Sequence, residues 1–282
     1  MQTVNTVKEL KHWVGRWRRD DMRVGLVPTM GGLHEAHLRL VDAAFHSADR
    51  VVATVFVNPM QFGEGEDFNA YPRDLDQDAA LLEERGVHLL FAPPVSEIYP
   101  SGAAASTRVT VPGISDILCG AFRPGHFTGV ATVVAKLFNL VRPDMAVFGE
   151  KDYQQLAVIR RVTVDLNFPV EVVGLPTVRE ADGLAMSSRN RYLSAEERRR
   201  APRLQQILQE TAAQLGRPGA DFRSLEASAT RGLEAEGFRP DYVSIRRAGD
   251  LQPAAAGDRD LVVLAAAWLG RARLIDNLPW SA

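Results

Sequence analysis

The hydrophobic positions of this chain repeat with two different periods, which predict where helices and strands lie. Val7, Leu10, Val14 and Trp17 recur at helical spacing and predict an amphipathic first helix. Residues 51–57 form a continuous, mostly β-branched apolar run, which is typical of a strand buried in a parallel sheet. The same patterns predict strands at 23–28, 87–91, 145–148 and 171–175, and helices at about 34–46, 74–85, 127–140 and 153–166.

Short strands that alternate with helices of about a dozen residues predict parallel β-α-β units with right-handed crossovers. We therefore expect an α/β fold with a Rossmann-like, doubly wound parallel sheet. Ligands of such sheets bind beyond the carboxyl ends of the strands. The polar segments 28–32, 58–62 and 149–152 all follow predicted strands, so we expect them to converge on one crevice.

The pattern changes after about residue 177, which predicts a second domain. A polar stretch at 178–192 leads to a charged helix at 195–215, a loop at 216–220, one more helix and three strand-like runs at 242–246, 261–268 and 272–277. We expect residues 1–177 to form the Rossmann-like domain and residues 178–282 a smaller α+β domain that acts as a lid.

Composition excludes several classes of function. The formal net charge of −2 over 282 residues gives no basic footprint for nucleic acid. Arg198, Arg199, Arg200 and Arg203 lie beside a pair of glutamates, which favours a solvated helix face, with a polyanion site as the alternative. Cys119 is the single cysteine, and no apolar run is long enough to span a bilayer. The first residues lack a secretory signal, so we expect a cytoplasmic protein with no membrane partner.

The segment His34-Glu-Ala-His37 follows a predicted strand and a pair of glycines. Helix N-termini carry unpaired N–H groups, glycines permit close approach, and both histidines lie on one helical turn, so this is a place to hold a phosphate. A zinc site is disfavoured because the spacing is one residue short of H-E-x-x-H and no third ligand is evident. A plain helix start with two surface histidines remains an alternative.

Five further segments carry candidate chemistry. Ser187, Ser188 and Arg189 in a polar loop could wrap nucleotide phosphates, although such a triplet is usually only a loop. Lys151 could reach a phosphate and Asp152 a ribose hydroxyl, with a simple N-cap as the alternative for Asp152. The Gln61 amide suits a hydroxy acid better than a phosphate. The glycine-rich segment 123–129 carries a cation and an imidazole, and is either a turn before an apolar helix or a functional loop. Asp74, Asp76 and Asp78 are interpreted as complements of a helix dipole, with a metal site disfavoured.

His34–His37 together with Met186–Arg189 resembles the paired motifs of the adenylyl-transferring superfamily that includes class I aminoacyl-tRNA synthetases. Read in order, six segments between residues 28 and 193 resemble the pantothenate synthetase (pantoate–β-alanine ligase) family. They are Pro-Thr-Met-Gly-Gly-Leu-His-Glu-Ala-His, Asn-Pro-Met-Gln-Phe, Tyr-Pro-Arg at 71–73, Arg-Pro-Gly-His-Phe-Thr-Gly, Phe-Gly-Glu-Lys-Asp-Tyr-Gln-Gln-Leu and Leu-Ala-Met-Ser-Ser-Arg-Asn.

The resemblance implies an enzyme that condenses pantoate with β-alanine through a pantoyl-adenylate, releasing AMP and pyrophosphate. It also implies a cytoplasmic homodimer that requires Mg²⁺, whose protein ligands stay unknown. Catalytic residues by motif match are His34, His37, Lys151 and Arg189. Pantoate would contact Met30, Gln61 and Gln155, and β-alanine would contact Gln61. The ATP site would comprise Met30, Gly31, Gly32, Leu33, His34, His37, Gly149, Glu150, Lys151, Asp152, Val178, Met186, Ser187, Ser188 and Arg189.

One position departs from the family pattern. Ala36 stands where the family has glycine between its histidines, and a methyl group there would crowd the adenine. We expect altered ATP affinity and retained activity. The rivals are another nucleotidyltransferase that acts on a phosphorylated substrate, which the glutamines disfavour, and a nucleotide-sensing module with a degenerate site, which the retained Lys151 and Arg189 disfavour.

Overall fold

The computed structural model describes residues 1–63, 65–66, 68, 71, 73–217 and 219–282. Pro72 of the predicted 71–73 motif and Pro218 of the predicted 216–220 loop lie outside these residues. The chain forms two compact units. The first unit is Met1–Glu150 with Gln155–Pro176, and the second is Lys151–Gln154 with Thr177–Ala282.

The first unit is built on a six-stranded parallel sheet with the strand order β1-β4-β3-β2-β5-β6. Strand β2 pairs with β3 on one side and with β5 on the other, so the direction of winding reverses at β2. This reversal is the topological switch point at which doubly wound sheets bind ligands. The strands are β1 (Gln2–Val4), β2 (Val24–Thr29), β3 (Arg50–Val55), β4 (Leu89–Phe91), β5 (Met145–Gly149) and β6 (Glu171–Leu175). The predicted α/β fold class is confirmed.

Burial explains why the central strands are apolar without alternation. Val51, Val52 and Ala53 of β3 have no exposed surface, because helices cover both faces of a doubly wound parallel sheet. The helices of the first unit are α1 (Val7–Arg19), α2 (Glu35–Phe45), α3 (Leu75–Glu84), α4 (Val95–Ile98), α5 (Cys119–Phe122) and α6 (His126–Val141). Helix α7 (Tyr153–Asp165) has its first two residues in the second unit and the rest in the first.

The second unit packs helices against a three-stranded antiparallel sheet with the order β7-β8-β9. The strands are β7 (Arg239–Arg247), β8 (Asp260–Leu269) and β9 (Ala272–Ser281), and the helices are α8 (Ala195–Arg200), α9 (Arg203–Leu215) and α10 (Phe222–Ala235). Strand β8 is central, and Val262, Val263, Ala266 and Ala267 on it have no exposed surface. The predicted α+β character of this part of the chain is confirmed.

The predicted single helix at 195–215 is wrong, because two helices cover that range. Helix α8 ends at Arg200 and α9 begins at Arg203. Pro202 lies between them, and proline removes a backbone donor and clashes with the preceding turn. Pro202 alone therefore accounts for the break between the helices, and the spacing of the hydrophobic residues gives no sign of it.

Candidate functional site

The turn after β2 is shaped by two glycines in the left-handed region. Gly31 has φ +83° and Gly32 has φ +62°, a conformation that disfavours residues with a Cβ. The turn brings the chain from the end of β2 directly into α2, for which His34 is the N-cap residue. The predicted glycine turn and histidine helix are therefore both present at the sheet's switch point.

A buried carboxylate holds this turn. Asp78 on α3 is 2% exposed, and its two oxygens accept hydrogen bonds from the Gly32 N–H at 2.9 Å and the Leu33 N–H at 2.8 Å. The expectation that Asp78 serves only the dipole of its own helix is incomplete. Asp74 does fit that interpretation, since it caps α3 by accepting from the Gln77 N–H at 3.0 Å.

The two histidines lie against each other. Their ring centroids are 4.1 Å apart, and the His34 N–H donates to Nδ1 of His37 at 3.3 Å. A neutral imidazole with an accepting Nδ1 carries its proton on Nε2. The backbone of the helix start thus sets the tautomer of His37 and makes its Nε2–H a donor.

Gln61 lies at the end of a short 3₁₀ helix, Pro59–Gln61, that follows β3. The side-chain carbonyl of Gln61 accepts a hydrogen bond from Nδ2 of Asn58 at 2.9 Å. Two further bonds fix Asn58: its Nδ2 donates to the Gly129 carbonyl at 3.0 Å, and its Oδ1 accepts from the Tyr99 hydroxyl at 2.8 Å. The bond from Asn58 fixes which end of the Gln61 amide carries the N–H groups, so these groups have a set direction in which to donate to a ligand. Burial raises the pKa of the Tyr99 phenol, so Tyr99 stays a donor at neutral pH.

The segment 123–129 supports Gln61 through its cation and its imidazole, and so does more than form a turn before α6. Nδ1 of His126 donates to the Gln61 backbone carbonyl at 2.8 Å, while Nε2 of His126 accepts from Arg123 at 3.2 Å. These two bonds require a single neutral tautomer of His126. Arg123 also pairs with Glu66 at 2.7 Å. Burial alone would raise the pKa of Glu66, but the bonds from Arg123 outweigh it and the pKa lies below its usual value.

In the second unit, Lys151 is anchored by β9. The side-chain amide of Asn277 donates to the Lys151 carbonyl at 3.0 Å, and the Lys151 ammonium lies 3.8 Å from the Asp152 carboxylate. Lys151 and Ser187 line one small pocket, together with Asn190 and Asp276. The structure thus brings Lys151 and the predicted phosphate loop to one place within this unit.

The loop that carries Ser187 is internally braced. The Met186 N–H donates to the Val178 carbonyl at 3.0 Å, and the Ser187 hydroxyl accepts from the Arg189 N–H at 3.3 Å. Ser188 is buried, whereas Val178 and Arg189 are half-buried. A backbone hydrogen bond therefore connects Val178, the predicted adenine contact, with Met186, the first of the predicted triphosphate contacts.

A bidentate ion pair fixes the base of that loop. Arg179 donates to the two oxygens of Asp276 at 2.7 and 2.9 Å and to the Gly183 carbonyl at 3.0 Å. Asp276 has a side chain that is 2% exposed, and a planar guanidinium fork is the geometry that holds a carboxylate most firmly. Neither residue was singled out from the sequence, because 97 positions separate them.

The predicted site residues divide between the two units. Residues predicted to bind ATP or pantoate in the first unit are Met30, Gly31, Gly32, Leu33, His34, His37, Gln61, Gly149, Glu150 and Gln155, and those in the second are Lys151, Asp152, Val178, Met186, Ser187, Ser188 and Arg189. Gly149 ends β5, and a Cβ built on it meets no atom of the described residues within 4 Å. Gln155 is half-buried in the first turn of α7.

Two other predictions concern charge and metals. Arg198, Arg200 and Arg203 pair with Asp182, Glu196 and Glu236, which favours the solvated-face interpretation of this cluster. Across the described part of the chain, no three His, Cys, Asp or Glu side chains come together in a way that could hold a metal ion. No helix in the same part of the chain is both long and apolar enough to traverse a bilayer.

Comparison with known proteins identifies the family. The family model for pantoate-beta-alanine ligase matches residues 2–279. The chain belongs to the pantoate–β-alanine ligase family. Pantothenate synthetase of Pseudomonas putida is 58% identical over 278 residues, covering 99% of this chain and 97% of the relative. The protein of that name from Thioalkalivibrio sulfidiphilus is 58% identical over 279 residues, covering 99% and 98%.

Solved structures of the family have the same fold. The crystal structure of pantothenate synthetase from Thermus thermophilus matches with a TM-score of 0.91 and 52% identity, and the match covers 99% of each chain. Pantoate-beta-alanine ligase from Francisella tularensis, complexed with β-γ ATP and β-alanine, matches with a TM-score of 0.84 and 32% identity, covering 99% of this chain and 97% of that one. Membership of the ligase family confirms the resemblance predicted from the six motifs.

Proposed function

We propose that this protein joins pantoate to β-alanine with consumption of ATP, through a pantoyl-adenylate, to give pantothenate, AMP and pyrophosphate. The match of the ligase family model over residues 2–279 carries the proposal. The relative crystallised with β-γ ATP and β-alanine supports the choice of two of the three substrates.

The first step forms the adenylate. A pantoate carboxylate oxygen attacks the α-phosphorus of ATP, a new O–P bond forms, and the bond to the departing pyrophosphate breaks. Such transfers depend on positioning and on stabilising charge at the phosphoryl oxygens. His34 and His37 are the proposed donors to the α-phosphate, and the Nε2–H tautomer of His37 suits that role.

The second step forms the amide. The β-alanine amine attacks the acyl carbon, the C–N bond forms, the bond to AMP breaks and the nitrogen loses a proton. The adenylate would also react with water, so a closed site favours the amine. We assign the role of a lid to the second unit, which carries the loop of Met186, Ser187, Ser188 and Arg189.

Pantoate is assigned to Gln61 and Gln155, with Met30 beside them, and β-alanine to Gln61. The amide hydrogens of Gln61 can donate to the hydroxyl or carboxylate oxygens of pantoate, and the bond from Asn58 to the amide carbonyl fixes their orientation. A buried amide of fixed orientation distinguishes a hydroxy acid from a phosphorylated acid, which would require cations. This disfavours a nucleotidyltransferase for phosphorylated substrates.

Lys151 is assigned to the α-phosphate, and Ser187, Ser188 and Arg189 to the β- and γ-phosphates. The pocket that Lys151 and Ser187 share supports neighbouring phosphate contacts. Glu150 and Asp152, beside Gly149, are assigned to the ribose, and Val178 to the adenine. A backbone pair with Met186 holds Val178, so the proposed base and phosphate contacts keep a fixed spacing.

Mg²⁺ is proposed to arrive with ATP. This ion is usually bound by substrate phosphates with only one or two carboxylates. The described residues supply carboxylates but no cluster of three potential ligands, which fits a metal held mainly by the nucleotide. Bound there, Mg²⁺ neutralises charge on the phosphate oxygens.

We also propose a cytoplasmic homodimer. A single cysteine cannot form an internal disulfide, which suits a reducing compartment. β6 lies at an edge of its sheet, and Val164 and Leu166 nearby in the chain are 71% and 49% exposed, which supports a covering partner. Sedimentation equilibrium should give twice the mass of one chain, and a monomer at micromolar concentration would refute the dimer.

Exchange of labelled pyrophosphate into ATP tests the adenylate. With β-alanine absent, we expect exchange that requires pantoate. His37→Ala should slow it by about 10²–10³-fold, as for removal of one donor to a developing oxyanion. His12→Ala is the matched control, because His12 is exposed on α1. Lack of pantoate-dependent exchange in the wild type would refute the mechanism, and a fully active His37→Ala variant would favour a different role for the motif.

A further inference from the structure

The backbone N–H groups of the turn after β2 are already engaged within the protein. Gly31 donates to the Thr29 hydroxyl at 3.2 Å, and His34 donates to Nδ1 of His37 at 3.3 Å. Between them, Gly32 and Leu33 donate to Asp78 at 2.9 and 2.8 Å. A glycine-rich turn can cradle phosphate when its N–H groups point at the ligand. Here four successive N–H groups have internal acceptors instead.

Asp78 makes the two shortest of these bonds. Asp78 lies in the first half of α3 and is 2% exposed. Each of its carboxylate oxygens accepts a hydrogen bond from one N–H group. Bonds to an ionised acceptor are roughly twice as strong as neutral ones. The carboxylate thus occupies the position at which a bound anion would sit on the turn.

The turn and the carboxylate fit each other closely. A Cβ added to Gly31 would lie 2.8 Å from Oδ2 of Asp78 and 3.1 Å from Cγ1 of Val55. Gly31 is therefore required by its positive φ and also by the space that Asp78 fills. Contact with the protein's own carboxylate thus explains Gly31, and a positive φ explains Gly32.

We propose that Asp78 is a positioning residue of the ATP-activating site, holding the turn Gly31–Leu33 so that the imidazoles of His34 and His37, and not the turn's N–H groups, contact the phosphates. The inference rests on the proposed function. A phosphate on the turn would have to displace a buried carboxylate of like charge, which is unfavourable. Helix α2 follows the turn at once, so a fixed turn fixes both imidazoles.

The test compares two substitutions that remove the same charge from the same helix. Asp78→Asn keeps the shape of the side chain but replaces one acceptor by an NH₂ group facing a backbone N–H. Asp76→Asn is the matched control, because Asp76 is exposed in the first turn of α3. Asp78→Glu retains the charge and moves the carboxylate by one methylene group, so it separates position from charge.

The first readout is hydrogen exchange of the ligand-free protein, followed by mass spectrometry of a peptide covering residues 28–38. We expect at least tenfold faster exchange of two amides in Asp78→Asn and a smaller acceleration in Asp78→Glu. Peptides from β3 and β5 should exchange as in the wild type. Unchanged exchange at the turn would overturn the proposal, and so would uniform acceleration across the unit, since that indicates a general loss of stability.

The second readout is pantoate-dependent pyrophosphate exchange. Asp78→Asn should lower kcat at least tenfold and leave KM for pantoate within about twofold, because a separate network fixes Gln61. Asp76→Asn should match the wild type. A wild-type kcat in Asp78→Asn would overturn the proposal. If the wild-type protein itself formed no adenylate, the proposed function would fail, while hydrogen exchange would still decide whether Asp78 holds the turn.

Discussion

Ala36 lies between the two histidines on the first turn of α2, and the resemblance implies that adenine packs against this position. Replacing it with glycine removes a methyl group and lowers helix stability by up to about 1 kcal/mol. We expect Ala36→Gly to lower KM for ATP severalfold with little change in kcat, measured by steady-state AMP release.

The control for Ala36→Gly is Ala43→Gly, since Ala43 is half-buried on the same helix. The control should lose similar stability in urea unfolding and keep the wild-type KM for ATP. Equal KM values for ATP in wild type and Ala36→Gly would show that the Ala36 methyl group does not affect the affinity for ATP.

Gly129 is needed for close contact of α6 with the segment that carries Gln61. A Cβ at this position would lie 2.2 Å from the Met60 carbonyl oxygen, so the backbone must shift. We expect Gly129→Ala to destabilise the protein by about 1–3 kcal/mol through overpacking and to raise KM for pantoate at least tenfold. Urea unfolding and pyrophosphate exchange measure the two effects.

The matched variant for Gly129→Ala is Gly15→Ala on α1, where the nearest atom to an added Cβ is 3.9 Å away. That change should be neutral or stabilise the protein by up to about 1 kcal/mol. A wild-type KM for pantoate in Gly129→Ala would contradict the role given to the contact.

At the scale of elements, the start of β2 is fixed by Asp144. Its carboxylate accepts from Arg18 at 2.8 Å and from the Val24 N–H at 2.6 Å. Burial would raise the pKa of Asp144, but these hydrogen bonds outweigh it and hold the pKa below the ordinary value of 3.8. A lowered carboxylate pKa means that the stabilisation is complete above the ordinary value and is lost as pH falls through the folded-state pKa.

Asp144→Asn should therefore lower the free energy of unfolding by about 1–2 kcal/mol at pH 7, a modest value because the side chain is partly exposed. The difference from the wild type should shrink as pH falls below 3.8. Asp165→Asn, at an exposed pair with Arg161 on α7, should change stability little at either pH. Urea titrations between pH 3 and 7 check both, and a difference that grows on acidification would contradict the assignment.

Elements with a long, regular period could be predicted from the sequence, and the strands β3 and β6 and the helices α2 and α7 lie where the pattern indicates. β1 was not predicted, because three residues are too few to establish a period. The histidines and Gln61 were recognised because each follows an apolar strand. Asp78 was not recognised as a site residue, because its partners lie 45 and 46 positions away in the chain.

At the scale of the whole molecule, the chain passes to the second unit at Lys151 and returns to the first at Gln155. The sequence could not predict this, because residues 153–165 form one uninterrupted helix. The contact that places Lys151 in the second unit comes from Asn277, 126 residues further along. Pairings of this length are set by tertiary packing, which local periodicity does not encode.

The central claim is that both organic substrates and ATP are consumed together. The most direct measurement is AMP formation by the purified protein with ATP and Mg²⁺, with pantoate and β-alanine each supplied or omitted. We predict sustained AMP release with one pantothenate formed per AMP only when both are present. Equal AMP release without β-alanine, or none with the complete mixture, would contradict the account.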